Sequence, residues 1–201
     1  MSVAAKKPPI DEVAGAPAAR TEGQAASLYI VAAHVPRRET LGVGALGAVG
    51  LERGWYAYVG SARRGRAARV ARHMRADKPL RWHADYLFGR HAASRAWLVD
   101  VPATALAQPA ECALVAGLLG AEPRARRASP RFGASDCGCA GHLLWFPSGA
   151  ALGRAVARIV HSGLAERAAR VGPADPAARR RSNGRALSET AAPSQERRRR
   201  P

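Results

Sequence analysis

The stretch GWYAYVGSARRGRAARVARH, residues 54–73, places an aromatic segment before a glycine-serine turn and an arginine-rich segment. Residues 55–60 are typical of a strand, because aromatic and β-branched side chains pack well on a pleated surface. Residues 62–76 are predicted to form a helix, with Gly65 weakening its first turn by roughly 1 kcal/mol relative to Ala. The stretch therefore predicts a strand, a turn and a basic helix in direct succession.

The predicted helix has two faces, because residues three and four apart lie on the same side. The polar stripe consists of Arg66, Arg69, Arg72 and His73. The opposing apolar stripe consists of Ala67, Val70, Ala71 and Met74. The cations follow Gly60 and Ser61, where a glycine lets a phosphate approach the backbone and where helix N–H groups favour anions. A solvated basic face is the alternative interpretation.

The rest of the chain predicts a small α+β domain. Strands are expected over 27–35, 94–101 and 143–146, with a short one around 41–46, and helices within 79–91 and over 109–121. We assign this domain to residues 27–147. Residues 1–26 and 173–201 are expected to be disordered, the latter as a basic tail, and 148–172 could form one more helix.

Charge points to a polyanionic partner. The formal net charge is +17, and most of it lies within residues 27–160 rather than in the C-terminal tail. Such a field attracts nucleic acid. A general compositional bias towards Arg and Ala is the alternative source of this excess.

The chain has the composition expected of a cytoplasmic protein. It contains three cysteines and no signal-peptide pattern, so a disulfide framework is not expected. No apolar stretch approaches the roughly 20 residues that span a bilayer, so we expect no membrane association.

Four side chains could converge on one phosphodiester. If the first two strands pair, Tyr29, Tyr58, Arg69 and His73 would meet, supplying phenols and an imidazole for proton handling and a guanidinium for phosphoryl charge. Glu111, in the first turn of the apolar helix 109–121, is a candidate metal ligand; stabilisation of the helix dipole is the alternative.

These residues resemble the motifs of the GIY-YIG nuclease superfamily. SLY (27–29), YVG (58–60) followed by SA, RVARH (69–73) and Glu111 occur in the order of that family's motifs. Other strings, including AEC and FGASDCGCAGHL, are similar to the small stand-alone Uri-type endonuclease branch. Some members of that branch are fused to glycosylases of the endonuclease III type.

The resemblance implies a mixed sheet flanked by helices and metal-dependent hydrolysis of DNA in repair, recombination or processing. Tyr29 or Tyr58 would position or deprotonate water, Arg69 would stabilise the transition state and His73 would carry protons. Glu111 would hold one Mg²⁺ or Mn²⁺ ion. A base-excision glycosylase of the endonuclease III type would be a functional partner. We expect DNA contacts from Gly60, Ser61, Arg63, Arg66, Arg72, Arg81, His83, Ser135 and Asp136.

The chain also departs from the family pattern. Its first motif lacks a glycine, the segment between the first two motifs is longer than usual, and residues 27–160 contain no Asn where the family has a late one. A module with the same fold that binds nucleic acid without cutting it is therefore the second hypothesis.

A second group of residues, Cys137, Cys139 and His142, has the spacing C-x-C-x₂-H. Zinc prefers thiolate and imidazole ligands, and Cys112 or His83 could complete a set. We nevertheless do not expect zinc, because the spacing is tighter than usual. An active-site wall formed with Asp136 and His83, or burial as small apolar groups, is favoured. Trp82 and Trp97 are expected in the core.

Overall fold

The computed structural model describes residues 26–62, 64–102, 109–135 and 137–171. The predicted disordered segments lie outside these ranges apart from Ala26, as do two expected DNA contacts, Arg63 and Asp136. The strands are β1 (Ala26–Val35), β2 (Glu39–Val43), β3 (Gly47–Leu51), β4 (Gly54–Ser61), β5 (Ala93–Val101), β6 (Arg126–Arg127), β7 (Leu143–Phe146) and β8 (Arg167–Val171). The helices are α1 (Arg66–Met74), α2 (His83–Arg90), α3 (Ala110–Ala121) and α4 (Gly149–His161).

Strand β1 lies inside a six-stranded sheet of order β6-β7-β4-β1-β5-β8. Its continuous apolar run follows from burial on both faces, unlike the alternation of a half-exposed strand. Leu28, Ile30 and Ala32 belong to one core with side chains of α3 and α4. Tyr29 and Val31 belong to a second core with side chains of α1 and α2. The predicted α+β fold is confirmed, and the five strand pairings of this sheet are all antiparallel.

Pairing between β1 and β4 positions the aromatic residues of both strands. Tyr29 lies opposite Gly60, and Val31 lies opposite Tyr58. Since side chains alternate along a strand, Tyr29 and Tyr58 project from the same face of the sheet. That face is the one covered by α1 and α2, whose side chains share its core.

Helix α1 is shorter than predicted. It begins at Arg66 because Gly65 takes a left-handed conformation, with φ of 66°, which interrupts the helical backbone before it. At the other end, the buried Lys78 ammonium donates to the carbonyls of His73 and Arg75, at 2.9 and 2.6 Å. These bonds satisfy carbonyl groups that a helix end leaves without intrahelical donors.

Two predictions for elements other than β1, β4 and α1 need correction. The short strand expected around 41–46 is divided, because the chain turns at Gly44 (φ of 40°) and β2 and β3 form a separate hairpin. The helix considered over 148–172 is present as α4 but ends at His161, followed by Gly163 with φ of 76°, a conformation that favours glycine and ends helices. Residues 167–171 instead pair with β5 as an edge strand, so the sheet continues beyond residue 147.

None of the helices within the described ranges is both long enough and apolar enough to cross a bilayer.

Candidate active site

A cleft of about 210 Å³ opens where β1, β4, α1 and α3 meet. Its walls bring together side chains that are far apart in sequence. The lining residues are Tyr29, Tyr58, Gly60, Ser61, Arg69, Pro109, Glu111, Gly133, Cys137 and His142. A neighbouring depression of about 180 Å³ shares four of them and adds His73, Arg81, Trp82, His83 and Ser135. The two form one candidate site with Arg69 between them.

Gly60 lies beneath the Tyr29 phenol. A Cβ atom at this position would lie 2.5 Å from Tyr29 Oη and 2.6 Å from Cζ, closer than a side chain can be accommodated without movement. The sequence suggested that Gly60 leaves room for a phosphate. The structure corrects this interpretation, because the space on that side of Gly60 is occupied by the Tyr29 ring.

Tyr29 and His73 form a buried pair. The phenol oxygen lies 3.1 Å from Nε2 of His73, and the two side chains are 2% and 1% exposed. Burial raises the pKa of Tyr29 to about 12, against the opposing effect of the Arg69 charge. Burial also lowers the pKa of His73 to about 4, although Asp85 opposes that shift. At neutral pH both groups are therefore uncharged, and Tyr29 O–H can donate to the His73 ring.

His73 does not belong to the polar stripe that the sequence predicted. The buried side chains of α1 are Val70 and His73, whereas the predicted apolar residues Ala67 and Ala71 are exposed. The shift has a physical reason: the second core is lined by aromatic rings, including Phe88, which lies 5.8 Å from His73 between ring centroids. A neutral imidazole packs in such surroundings where a cation would not.

Asp85 is the buried carboxylate behind this pair, and the sequence analysis missed it. It is 0% exposed and accepts hydrogen bonds from Arg72 at 2.7 Å and from the N–H groups of Arg81 and Trp82 at 2.9 and 3.0 Å. Asp85 Oδ1 and His73 Nδ1 lie 4.0 Å apart, and neither has a hydrogen-bond partner among the described residues. An acid three residues after a helix start was the available signal.

Three arginines of α1 have different environments. Arg69 is exposed on the cleft, where it donates to the Ser61 carbonyl at 3.3 Å. Arg66 is instead bound to Asp100 at 2.5 Å and to two strand carbonyls. Arg72 is bound to Asp85. Arg66 and Arg72 are thus each held by a carboxylate within the domain and Arg69 is not, while the DNA contacts expected of Arg66 and Arg72 stay predictions.

Trp82 lies at the rim of the site and is 40% exposed. The guanidinium carbons of Arg69 and Arg72 lie 5.1 and 4.6 Å from its ring centroid, a cation–π arrangement. The expectation that Trp82 belongs to the core is wrong, because its ring is the surface on which these two cations stack. The same expectation is confirmed for Trp97, which is 6% exposed.

The segment between β6 and β7 forms the far wall. Gly133 has φ of 71°, and a Cβ atom there would lie 2.4 Å from the Tyr58 ring. Its N–H group donates to Nδ1 of His83 at 3.1 Å, which joins this wall to the start of α2. Burial lowers the pKa of His83, so its ring nitrogen is available as an acceptor. Ser135 lines the same depression.

Glu111 enters the cleft from the first turn of α3 and is partly buried. With the residues that the structure describes, its carboxylate forms no hydrogen bond or ion pair. Its charge is close enough to raise the pKa of both Tyr29 and His142, although burial dominates the shifts of both groups. A carboxylate beside Arg69 and the two phenols could hold a hard cation.

The three cysteines gather beside Glu111 with His142. The sulfur atoms of Cys112 and Cys139 are in disulfide contact, which the sequence did not predict, whereas Cys137 is free. The Cys137 sulfur and His142 Nε2 lie 3.4 Å apart, and both residues line the cleft. Both residues therefore form part of the cleft wall, and the active-site role expected of that wall stays a prediction.

The structure thus brings together Tyr29, Tyr58, Arg69, His73 and Glu111, while their chemical roles stay predictions. Residues 28–165 match the family described as Domain of unknown function DUF123. The chain belongs to this family. The match begins in β1 and ends in the turn before β8, so it covers the cleft and all four helices. No match was found among curated proteins or among solved structures.

Proposed function

We propose that this protein is a divalent-metal-dependent endonuclease that hydrolyses phosphodiester bonds in DNA. The observation that carries the proposal is one cleft lined jointly by Tyr29, Tyr58, Arg69 and Glu111. Phenols, a free guanidinium and an unpaired carboxylate are the groups that phosphodiester hydrolysis needs. The resemblance of the motifs to GIY-YIG nucleases and the net charge of +17 support the same substrate class.

Arg69 would bind the scissile phosphate. Its exposed guanidinium forms a planar fork that matches two phosphate oxygens. The other two arginines of α1 are each bound to a carboxylate and Arg69 is not, which leaves it available. As the bond to the leaving oxygen breaks, negative charge grows on the phosphoryl group, and a fixed cation stabilises it.

The two phenols would have separate tasks. Tyr29 keeps its proton at neutral pH, because burial raises its pKa to about 12 and its oxygen is paired with His73. It can therefore orient water or a phosphate oxygen, but it does not act as the base. Tyr58, which is less buried and lies on the same face, would position the attacking water through a hydrogen bond.

Glu111 fits a role as ligand of one Mg²⁺ or Mn²⁺ ion. Magnesium is commonly held by one or two carboxylates, substrate phosphate oxygens and water, which matches a single free acid facing an open cleft. When bound, such an ion would withdraw charge from the phosphate and the leaving oxygen. The cysteine sulfurs are poor ligands for this ion, so Glu111 is the residue assigned to it.

Cleavage assays with pure protein test the proposal. Single-stranded, duplex, branched and damaged DNA would be incubated with Mg²⁺ or Mn²⁺. Arg69→Ala should lower kcat by about 10²–10³-fold, as loss of a transition-state charge partner does. Glu111→Gln should reduce cleavage to background. Arg170→Ala and Glu166→Gln, both exposed and away from the cleft, are the matched controls and should cut like wild type.

A nucleic-acid-binding module without catalysis is the second candidate. The absence of Asn from residues 27–160, where the family has one, favours it. It predicts salt-sensitive DNA binding, with no cleavage of any substrate by wild type and no difference between wild type and Glu111→Gln.

A further inference from the structure

Four metal-ligating side chains meet at a point next to the cleft. Cys112 lies in the first turn of α3, and Cys137, Cys139 and His142 lie on the segment that leads into β7. One ligand atom from each residue lies within 4.8 Å of the others. The chain contains three cysteines, so all of them are gathered here.

The separations fit a tetrahedral ion. Zn–S bonds of about 2.3 Å and a Zn–N bond of about 2.0–2.1 Å require about 3.8 Å between two sulfurs and about 3.6 Å between sulfur and nitrogen. The observed separations are 3.8 Å from Cys112 Sγ to Cys137 Sγ, and 3.7 and 3.4 Å from His142 Nε2 to these two sulfurs. Three of the six edges of the ligand tetrahedron therefore have the lengths that zinc needs, whereas the Cys112–Cys139 edge is in disulfide contact and would have to lengthen on binding.

A disulfide is the competing explanation, because the sulfurs of Cys112 and Cys139 are in contact. It would use two of the four groups. It does not explain why the Cys137 sulfur and His142 Nε2 face the same point. His142 is only 5% exposed, and a disulfide between two other residues does not require a buried imidazole beside it. A bound ion accounts for all four residues and for the two chain segments meeting there.

The imidazole is also oriented as a ligand requires. The His142 backbone is held by hydrogen bonds from its own N–H to the Phe132 carbonyl at 2.8 Å and from the Val59 N–H to its carbonyl at 3.0 Å. Its Nε2 atom faces the sulfurs of Cys112 and Cys137.

We propose that Cys112, Cys137, Cys139 and His142 bind one Zn²⁺ ion that fastens the segment before β7 to the start of α3. Four protein ligands leave no open position, which is the pattern of a structural zinc site rather than a catalytic one. Because Cys112 follows Glu111 directly, the ion would hold that carboxylate at the edge of the cleft. Zinc binding itself does not depend on the proposed hydrolase activity.

The first test is the metal and thiol content of the wild-type protein, purified without chelators or metal-affinity resin. Elemental analysis should find one zinc per chain. A thiol reagent should react slowly with the native protein, and a chelator in denaturant should release three thiols. No zinc, together with one reactive thiol per chain in denaturant, would establish the disulfide and overturn the proposal.

Cys137→Ser separates the two explanations, because Cys137 takes no part in the disulfide contact. We expect this variant to lose its zinc and to melt at a lower temperature than wild type. His83→Ala is the control: it removes the other histidine considered as a fourth ligand and should keep one zinc. Full zinc content in Cys137→Ser would refute the four-ligand site.

Cobalt offers a measurement that does not need a folded variant. Co²⁺ added to the metal-free wild-type chain should give the visible absorption of a tetrahedral ion and a thiolate charge-transfer band. A spectrum of octahedral Co²⁺ without thiolate bands would contradict the proposal, whatever the result of the DNA-cleavage assays.

Discussion

Gly60→Ala tests whether the Tyr29 phenol occupies the position described for it. The added Cβ atom would lie 2.5 Å from Tyr29 Oη, whereas ordinary contacts begin near 3.4 Å, so the oxygen must move by about 0.9 Å. The ring is 2% exposed and Oη is paired with His73 at 3.1 Å. A displacement of this size therefore either breaks that hydrogen bond or pushes the ring into its neighbours.

The cost follows from overpacking, which destabilises cores by about 1–3 kcal/mol. Alanine recovers about 0.5–1 kcal/mol in a strand because it loses less backbone entropy than glycine. The backbone of Gly60 is not in the left-handed region, so backbone strain adds nothing. We expect the free energy of unfolding to fall by about 1 kcal/mol, and by at most about 2.5 kcal/mol, the difference between these two effects.

Urea denaturation of Gly60→Ala and of a matched control measures this difference. Gly42→Ala is that control, since Gly42 is also a strand glycine and its Cβ atom would have no heavy atom within 4 Å. It should be neutral or slightly stabilised. Equal stabilities for Gly60→Ala and Gly42→Ala would show that the Tyr29 ring does not lie against Gly60.

Three further outcomes are expected. Burial lowers the pKa of His73 to about 4, so between pH 6.5 and 4 the unfolded chain binds a proton at this residue that the folded chain does not. The free energy of unfolding should therefore decrease as the pH is lowered through this window, and His73→Phe should flatten that decrease in urea denaturation. Asp85→Ala should lower the free energy of unfolding by about 3–5 kcal/mol, since it leaves the Arg72 guanidinium without its buried partner; a loss below 1 kcal/mol would contradict this. Trp82→Ala should weaken binding of single-stranded DNA by about 1–3 kcal/mol in fluorescence anisotropy if bases stack on this exposed ring, and unchanged affinity would exclude that contact.

The sequence was sufficient where a local pattern determines the outcome. Residues 27–35 and 55–60 read as strands and lie in β1 and β4, because their apolar runs need burial on both faces. The meeting of Tyr29 with Tyr58 required only that these strands pair in one register. Alternation along the strand then places the phenols on one face, which a sequence can specify.

The sequence was insufficient where long-range packing determines the outcome. The local sequence of residues 167–171 is compatible with a helix, and only pairing with β5 makes them an edge strand. The sequence predicts Trp82 as a core residue. Its place at the surface depends on cation–π contacts with the guanidinium groups of α1, which are not neighbours of Trp82 in sequence. Cys112 lies 25 residues from Cys137, and their separation of 3.8 Å depends on how α3 packs.

The acidic residues around α1 determine which of its arginines is available to the cleft. On α1 alone, Arg66 and Arg72 are held by Asp100 and Asp85, at 2.5 and 2.7 Å. Turning either guanidinium towards a phosphate would break its ion pair, and for Arg72 that would leave the 0% exposed carboxylate of Asp85 without its charged partner. Arg69 has no such partner among the described residues and faces the two phenols and Glu111. Of the three arginines of α1, Arg69 is therefore the cation available to the site, and ion pairs hold Arg66 and Arg72 as parts of the domain.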